Sequence, residues 1–269
     1  MTSAPPLFHR GKREIFLNRS DKNFKSHDFL HQFVAKDIKL RLSEIKRDFQ
    51  SVLLCGYHTA DYLSDIFPNA KILKYTTPEI LENHKGLYDC IISGSEMHIA
   101  NDLPGLLIQL RRALKPDGVM ISAFAGGETL YELRTALMQA EINIKGGASP
   151  RVHPFTDKHQ MAGLMQRAGF ALPVVDSEIL NVSYRDMFHL LGDIRRMGES
   201  NCLMDSYKFF TPSKVFFEAS QIYQDKFKEN DGRVTASFEI IFTIGWAPHS
   251  SQQKPAKRGS GHVSLTEIL

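Results

Sequence analysis

Ser95, Glu96, His98, Asn101 and Asp102 crowd into eight residues directly after an apolar run, YDCIISGS. Among them His98 is the side chain able to take or give a proton near neutral pH. Two plainer roles stay open: Asp102 capping the helix that follows, and His98 packing against a sheet. A second group is GGETLYELR (126–134), where Glu128 and Glu132 suit the positive end of a helix dipole. Tyr131 adds a phenol there and Arg134 a planar fork of donors. PRVHPF (150–155) and MGESN (197–201) are likewise polar and marked by glycine or proline. Three such loops predict one substrate surface, with Glu128, Tyr131, Arg134, His153 and Ser200 meeting in a single cleft. His98, Glu128, Tyr131 and Arg134 are the catalytic candidates.

Other chemistries find little support. The three cysteines, Cys55, Cys90 and Cys202, lie far apart without a CxxC pair, which argues against a disulfide framework or zinc site and for a reducing compartment. Eleven histidines are scattered and form no HExxH pattern, so no metal is expected. No window approaches the ~20 apolar residues that span a bilayer, and the start lacks the apolar core of a secretory signal. A cytoplasmic location is therefore expected. The net charge is +3, but residues 1–47 hold eleven Lys or Arg against five Asp or Glu. That reads first as a solvated helical arm and second as a basic surface. No repeated aromatics make a stacking platform, so nucleic acid is not the expected partner.

These side chains need elements to hold them. Residues 24–47 read as a helix, SVLLCG (51–56) as a buried strand, YLSDIF (62–67) as a helix and AKILKY (70–75) as a second strand. YDCIISGS (88–95) is a third strand, with a continuous apolar run as in a sheet covered on both faces. Leu103, Leu106, Leu107, Leu110 and Leu114 fall at helical spacing behind Asp102. KPDG (115–118) is a turn in which Gly118 is expected to take positive φ, and VMISAFA (119–125) returns as a parallel strand. Helices follow from 128, at 156–168, 185–197 and 212–228, with strands at 173–184 and 237–247. The last strand is expected antiparallel beside 119–125. Ligands of such a sheet bind at the carboxyl ends of its strands. A glycine-rich first loop would normally let backbone approach a nucleotide, and here Gly56 stands alone in LLCGYHT.

YDCIISGSEMHIANDLP, LKPDGVMISAFAGGETLYELRTAL, ASPRVHPF, MGESNC and IGWAP…KPAKRGSGHVSL together resemble the mitochondrial complex I assembly-factor methyltransferase-like proteins and their bacterial relatives. LFHRGKREIFLNRS…HDFLHQFVAKDIKLRLSEI is similar to that family's leading segment. A more distant likeness is to the biotin-pathway carrier-protein O-methyltransferase. The resemblance implies a seven-stranded, Rossmann-like class I methyltransferase fold, α/β with an amino-terminal helical lid. It implies S-adenosylmethionine as cofactor, held by Cys55, Gly56, Tyr57, Tyr75, Ser93 and Gly94, with Arg10 of the lid near its carboxylate. It also implies a protein substrate, in the mitochondrial branch an arginine on a respiratory complex I subunit. Residues 1–250 are expected as one domain: lid 1–47, nucleotide-binding half 48–127, substrate side 128–250. A basic tail, 251–269, follows. Three departures set a competing expectation. The first loop is shorter than the family's DxGCGxG, Tyr75 stands where a ribose-binding acid is usual, and only a dozen residues separate Tyr75 from Tyr88. Weak or absent cofactor affinity follows, and with it the alternative of a catalytically silent assembly factor.

Overall fold

In the computed structural model, residues 5–73, 78–206 and 210–253 are described. Apolar runs alternate with amphipathic helices along the chain, and the runs become one six-stranded sheet. The strands are β1 (Val52–Cys55), β2 (Lys71–Leu73), β3 (Tyr88–Gly94), β4 (Leu114–Ala125), β5 (Ala171–Tyr184) and β6 (Val234–Trp246), in spatial order β2-β1-β3-β4-β6-β5. The first four pair in parallel. β6 enters antiparallel beside β4, with Ile121 opposite Ile244, and β5 closes the edge antiparallel to β6. The expected placement of 237–247 beside 119–125 is thus found. Six strands among the described residues stand where the family likeness implied seven. The chain goes from β2 to β3 through a short helix, α3 (Pro78–Leu81), with too few residues for another strand and crossover.

Side-chain alternation divides the core. Leu53, Ile91, Met120 and Ile241 pack on one face with α4 (Leu103–Ala113) and α6 (Lys158–Arg167). Leu54, Ile92, Ile121 and Phe242 pack on the other with α2 (Phe29–Glu44). A third cluster joins α5 (Tyr131–Lys145), α7 (Met187–Met197) and α8 (Ser213–Phe227) to β6. Asp102 does cap α4, its carboxylate accepting from the Gly105 amide at 2.8 Å. The amino-terminal arm holds α1 (Arg10–Ser20) ahead of α2, where the periodicity predicted helix only from residue 24. α1 was not legible because its inward stripe is Arg13, Leu17 and Ser20, two of them polar.

Two local expectations need correction. Residues 62–67 are not a helix: a 3-10 turn covers Thr59–Tyr62 and tight turns follow. Pro68 disfavours helical backbone at Phe67, and bonds spanning three residues, as from the Ile66 amide to the Leu63 carbonyl, alternate with isolated ones spanning four. In KPDG the positive φ belongs to Asp117 (62°), not Gly118. Gly118 is needed for proximity, since a methyl group there would lie 2.9 Å from the Lys115 carbonyl oxygen.

β4 is the strand on which this arrangement is most exposed to damage. Ile121 is fully buried between its parallel and antiparallel neighbours. Ile121→Ala should lower unfolding free energy by about 2–5 kcal/mol through the cavity left behind, measured by urea denaturation; a loss below about 1 kcal/mol would contradict this packing.

Candidate functional site

The carboxyl ends of β1, β3 and β4 face the amino-terminal arm, and a buried polar cluster lies between them. α1 aims Arg13 inward, leaving its side chain only 4% exposed. Its guanidinium donates to both oxygens of Glu199, at 2.9 and 2.7 Å, and to the Gly198 carbonyl at 2.8 Å. Gly198 ends α7 at φ 83°, which lets the chain turn and present that carbonyl and Glu199 together. On the far side of the carboxylate, His98 Nε2 lies 3.2 Å from Glu199 Oε2. The Arg13 charge and the His98 hydrogen bond hold the Glu199 carboxyl well below its ordinary range, against the pull of burial.

Further groups line this cluster. Glu96 is buried and accepts from the Tyr57 amide at 3.3 Å; desolvation lifts its pKa to about 7, with Arg13 opposing. His31 and His153 are pushed down to about 4, chiefly by burial. His58 is lowered for the same reason, stacks on Phe24 at 3.5 Å and hydrogen-bonds with Ser20. His153 Nε2 accepts from the Cys202 amide at 3.2 Å. The Nδ1 atoms of His31 and His98 are buried without a hydrogen-bond partner among the described residues.

Beneath this cluster lies a chamber of about 280 Å³. Leu30, His31 and Val34 of α2 roof it, Phe124 and Ala125 of β4 floor it, and α5, α7 and α8 wall it. Ser95 and Leu130, at its rim, hold positive φ of 58° and 56°. Left-handed backbone at a non-glycine costs about 1–3 kcal/mol and is found where structure is spent on function. A second, wider cleft of about 580 Å³ opens outward, lined by Leu7, Arg134, Met138, Leu203 and Asp205. The two share the 151–155 loop, with Arg151, Val152, His153 and Phe155 lining both. Asn201 ties that loop down by donating to the Pro150 carbonyl at 2.9 Å.

The three motif loops therefore meet, though not through every residue expected. His98, His153 and Ser200 line the chamber, and Arg134 lines the outer cleft. Arg134 donates to the Thr129 carbonyl at 3.3 Å and pairs with neither Glu128 nor Glu141. Glu128 is exposed and contributes its amide to Glu239. Tyr131 lies out on α5, its ring edge-on to Phe227. Glu128 and Tyr131 line neither hollow. Arg10 is exposed at the first turn of α1, one helical turn before the inward-facing Arg13. Cys55, Gly56, Tyr57, Ser93 and Gly94 are buried at the ends of β1 and β3. Tyr75 lies outside the described residues. Arg13, His31 and Glu199 are the functional candidates that sequence reasoning did not single out. The four-residue step from Arg13 to Leu17 was the one signal for the first of them.

The first loop can be tested directly for a nucleotide. Gly56 has φ 133°, and a methyl group on it would sit 2.3 Å from the Gly94 carbonyl oxygen. The open face of Gly94 is filled in turn by Thr59, whose Cγ2 would meet a methyl group at 2.3 Å. The freedom of both glycines is used for contacts within the chain, not for a close-approaching ligand. Tyr57 and His58 of the same loop are held by the arm, the Tyr57 hydroxyl lying within donating distance of either Asn18 Oδ1 or Asp21 Oδ2, at 2.8 and 3.0 Å. These residues do not fit the phosphate- or ribose-cradling role of a glycine loop. No group of three His, Cys, Asp or Glu among the described residues could hold a metal ion. No helix among them is long and apolar enough to cross a membrane.

Comparison with known proteins sets this geometry in a lineage. No family model matches the chain. It is 36% identical over 265 residues to the mitochondrial arginine-hydroxylase NDUFAF5 of Danio rerio, covering 90% of this chain and 82% of that protein. It is 30% identical over 181 residues to the malonyl-[acyl-carrier protein] O-methyltransferase of Halorhodospira halophila, covering 67% of this chain and 59% of that protein. A Bacillus halodurans structure assigned as a methyltransferase shares the fold, with TM-score 0.50 and 15% identity over 78% of this chain and 97% of that one.

Two measurements test the cluster. Removing one member of a buried ion pair strands the other, at about 3–5 kcal/mol, whereas an apolar replacement of both is nearly neutral. Arg13→Met and Glu199→Leu should each destabilise by about that much and the double variant by far less; additive losses in denaturant melts would show that no coupled pair exists. The second test is pH. The folded pKa values of His31 and His153 lie below the free value of about 6.5, so the unfolded chain binds more protons between about pH 4 and 6.5 and stability rises with pH there. Glu96, raised to about 7, acts oppositely above about pH 4.5, but it is one group against two. Melting temperature should therefore climb from pH 5 to 6.5, and His31→Phe should flatten the climb; an unchanged slope in that variant contradicts a neutral buried His31.

Proposed function

The chain belongs to the family of the NDUFAF5 arginine-hydroxylases, and on that premise we propose that it is a respiratory-complex assembly factor that receives an arginine-bearing segment of a protein partner. A complex I subunit is the partner this lineage suggests. The single observation that carries the reading is the outer cleft, where GGETLYELR, PRVHPF and the loop after MGESN come together and open onto the chamber. Asp205 and Arg134 offer the cleft one charge of each sign. Asp205 is exposed and makes no ion pair among the described residues, so its carboxylate is available to a guanidinium. Arg134 offers donors to a backbone carbonyl or a carboxylate of the same segment. Leu7 and Met138, both exposed, supply apolar contact beside them.

The fold is that of the S-adenosylmethionine-dependent methyltransferases, and the relatives include a carrier-protein O-methyltransferase. Two features favour partner binding over methyl transfer: the Gly56–Gly94–Thr59 packing in the first loop, and the lid side chains that clasp Tyr57 and His58. Were a methyl donor held, it would supply an electrophilic methyl group, and this chain's part would be orientation. None of the site chemistry derived above depends on it. The enzyme reading stays distinct by experiment.

Calorimetric titration with S-adenosylmethionine should give no binding heat, and micromolar binding would restore the methyltransferase reading. In parallel, an arginine-bearing peptide from the partner subunit should bind the wild-type chain. Asp205→Arg should weaken it by about tenfold, roughly 1.4 kcal/mol, with melting temperature unchanged, because Asp205 is exposed and makes no ion pair among the described residues. Arg134→Ala should act in the same direction. Peptide affinity indifferent to both changes would remove the outer cleft as the docking site.

A further inference from the structure

Arg13 is held as an arginine from another chain would be held. Glu199 takes both of its terminal nitrogens in a two-pronged contact, the Gly198 carbonyl takes one of them again, and Glu199 itself lines the chamber. The grip is incomplete: the buried Nε of Arg13 has no hydrogen-bond partner among the described residues. The segment that carries Arg13 also arrives as a bound peptide does. Residues 7–9 run antiparallel to 202–204, with Phe8 opposite Leu203. The His9 amide donates to the Cys202 carbonyl at 2.8 Å, and the Met204 amide to the Leu7 carbonyl at 2.9 Å. Pairing of an extended segment with a strand-like stretch is a general mode of peptide capture. Leu7, Leu203 and Asp205 line the outer cleft, and Phe8 sits edge-on to His153 of the loop shared with the chamber. One path therefore leads from the cleft along 202–204 to Glu199, and the arm lies in it.

Little apolar burial opposes the lifting of α1. It buries Arg13, Leu17 and Ser20, one apolar side chain against two polar ones, and elements so held are the first to open. What keeps it closed is charge. Departure of Arg13 alone would leave the Glu199 carboxylate buried without its counter-charge. Arrival of a second guanidinium removes that penalty, because one cation leaves as another enters. A lysine ammonium would bring the charge but not the planar fork that meets both carboxylate oxygens.

We propose that the Glu199 carboxylate and the Gly198 carbonyl are the guanidinium seat for the partner's arginine, and that the arm, residues 7–13, fills this seat in cis until that arginine displaces Arg13. The inference rests on the partner reading of the outer cleft and adds where the arginine comes to rest. Asp205, at the cleft end of the path, meets the segment as it enters. The arm is thus an autoinhibitory occupant, and a partner that presents arginine is what releases it.

The test uses the full chain. Arg13→Ala removes the side chain beyond Cβ, and ethylguanidinium is the fragment removed. At millimolar concentration ethylguanidinium should raise the melting temperature of Arg13→Ala, and ethylammonium should not. Equal effects of the two, no effect of either, or a response that survives adding Glu199→Gln would overturn the seat. The peptide LFHRGKRE, copied from residues 7–14, tests the occupancy. It should bind Arg13→Ala tighter than wild type by about tenfold or more, because the arm no longer fills the seat. Unchanged or weaker binding would show that Arg13 is structural support alone and would overturn the cis occupant. The wild-type chain gives a second readout that needs no variant. Hydrogen exchange of the α1 amides should quicken with saturating LFHRGKRE, but not when the arginine at position 13 of the peptide is replaced by lysine. Binding without faster exchange would overturn the displacement. The arginine-bearing partner peptide should compete with LFHRGKRE for the Arg13→Ala chain, and binding without competition would overturn the shared seat. If the partner peptide does not bind while the ethylguanidinium and LFHRGKRE results hold, the partner reading falls and the cis-occupied seat stands.

Discussion

The bidentate contact between Arg13 and Glu199 is the constraint on which the site depends. It joins the first helix to the loop after α7, and so fixes the arm over the carboxyl edge of the sheet. A guanidinium this deeply buried needs a counter-charge, and two carboxylate oxygens and the Gly198 carbonyl engage its two terminal nitrogens. The same pair settles His98, which takes the remaining side of the carboxylate. Backbone contacts extend the clasp: the His9 amide donates to the Cys202 carbonyl, and Asn101 holds the Phe8 backbone from both sides. A second tie joins His27, Asp193 and Tyr184, linking the start of α2 to α7 and β5. The arm is thereby anchored at two points.

Burial in this region works mainly by removing charge. His31, His58 and His153 are each driven toward the neutral form by desolvation, and Glu96 toward its protonated form. Only the paired charges survive, which gives an interior that is polar in hydrogen bonds and close to neutral in electrostatics. The outer cleft differs, because neither Asp205 nor Arg134 makes an ion pair among the described residues. A neutral inner hollow behind a charged outer cleft separates what each can bind.

In the first half of the sheet the strands and the first loop are held by separate contacts. β1, β3 and β4 keep the parallel order and buried faces of the scaffold. The loop between β1 and the 3-10 turn instead packs on β3 through Gly56, Thr59 and Gly94. Shortening a loop costs the sheet little, since strand pairing lies outside it.

Much of the fold was legible because it depends on local periodicity. The leucines from 103 to 110, the continuous apolar run at 88–94 and the long strand ending at Trp246 each declare their element from neighbouring residues alone, though Leu114, expected in the helix, begins β4. The meeting of the 126–134, 150–155 and 197–201 loops was legible too, through their shared polar, glycine- and proline-marked composition. What the sequence could not declare was which side chain of each loop turns inward. Glu128 and Tyr131 lie outward, while Glu199, in the same motif as Ser200, turns in because Gly198 bends the chain at positive φ. Arg13 rather than Arg10 is the buried arginine, since the face that α1 presents is set by Leu17 and Ser20 packing against Gly198 and His58. Periodicity within a segment reaches only a few residues. The Arg13–Glu199 pair joins residues 186 positions apart, so only the folded chain could choose it.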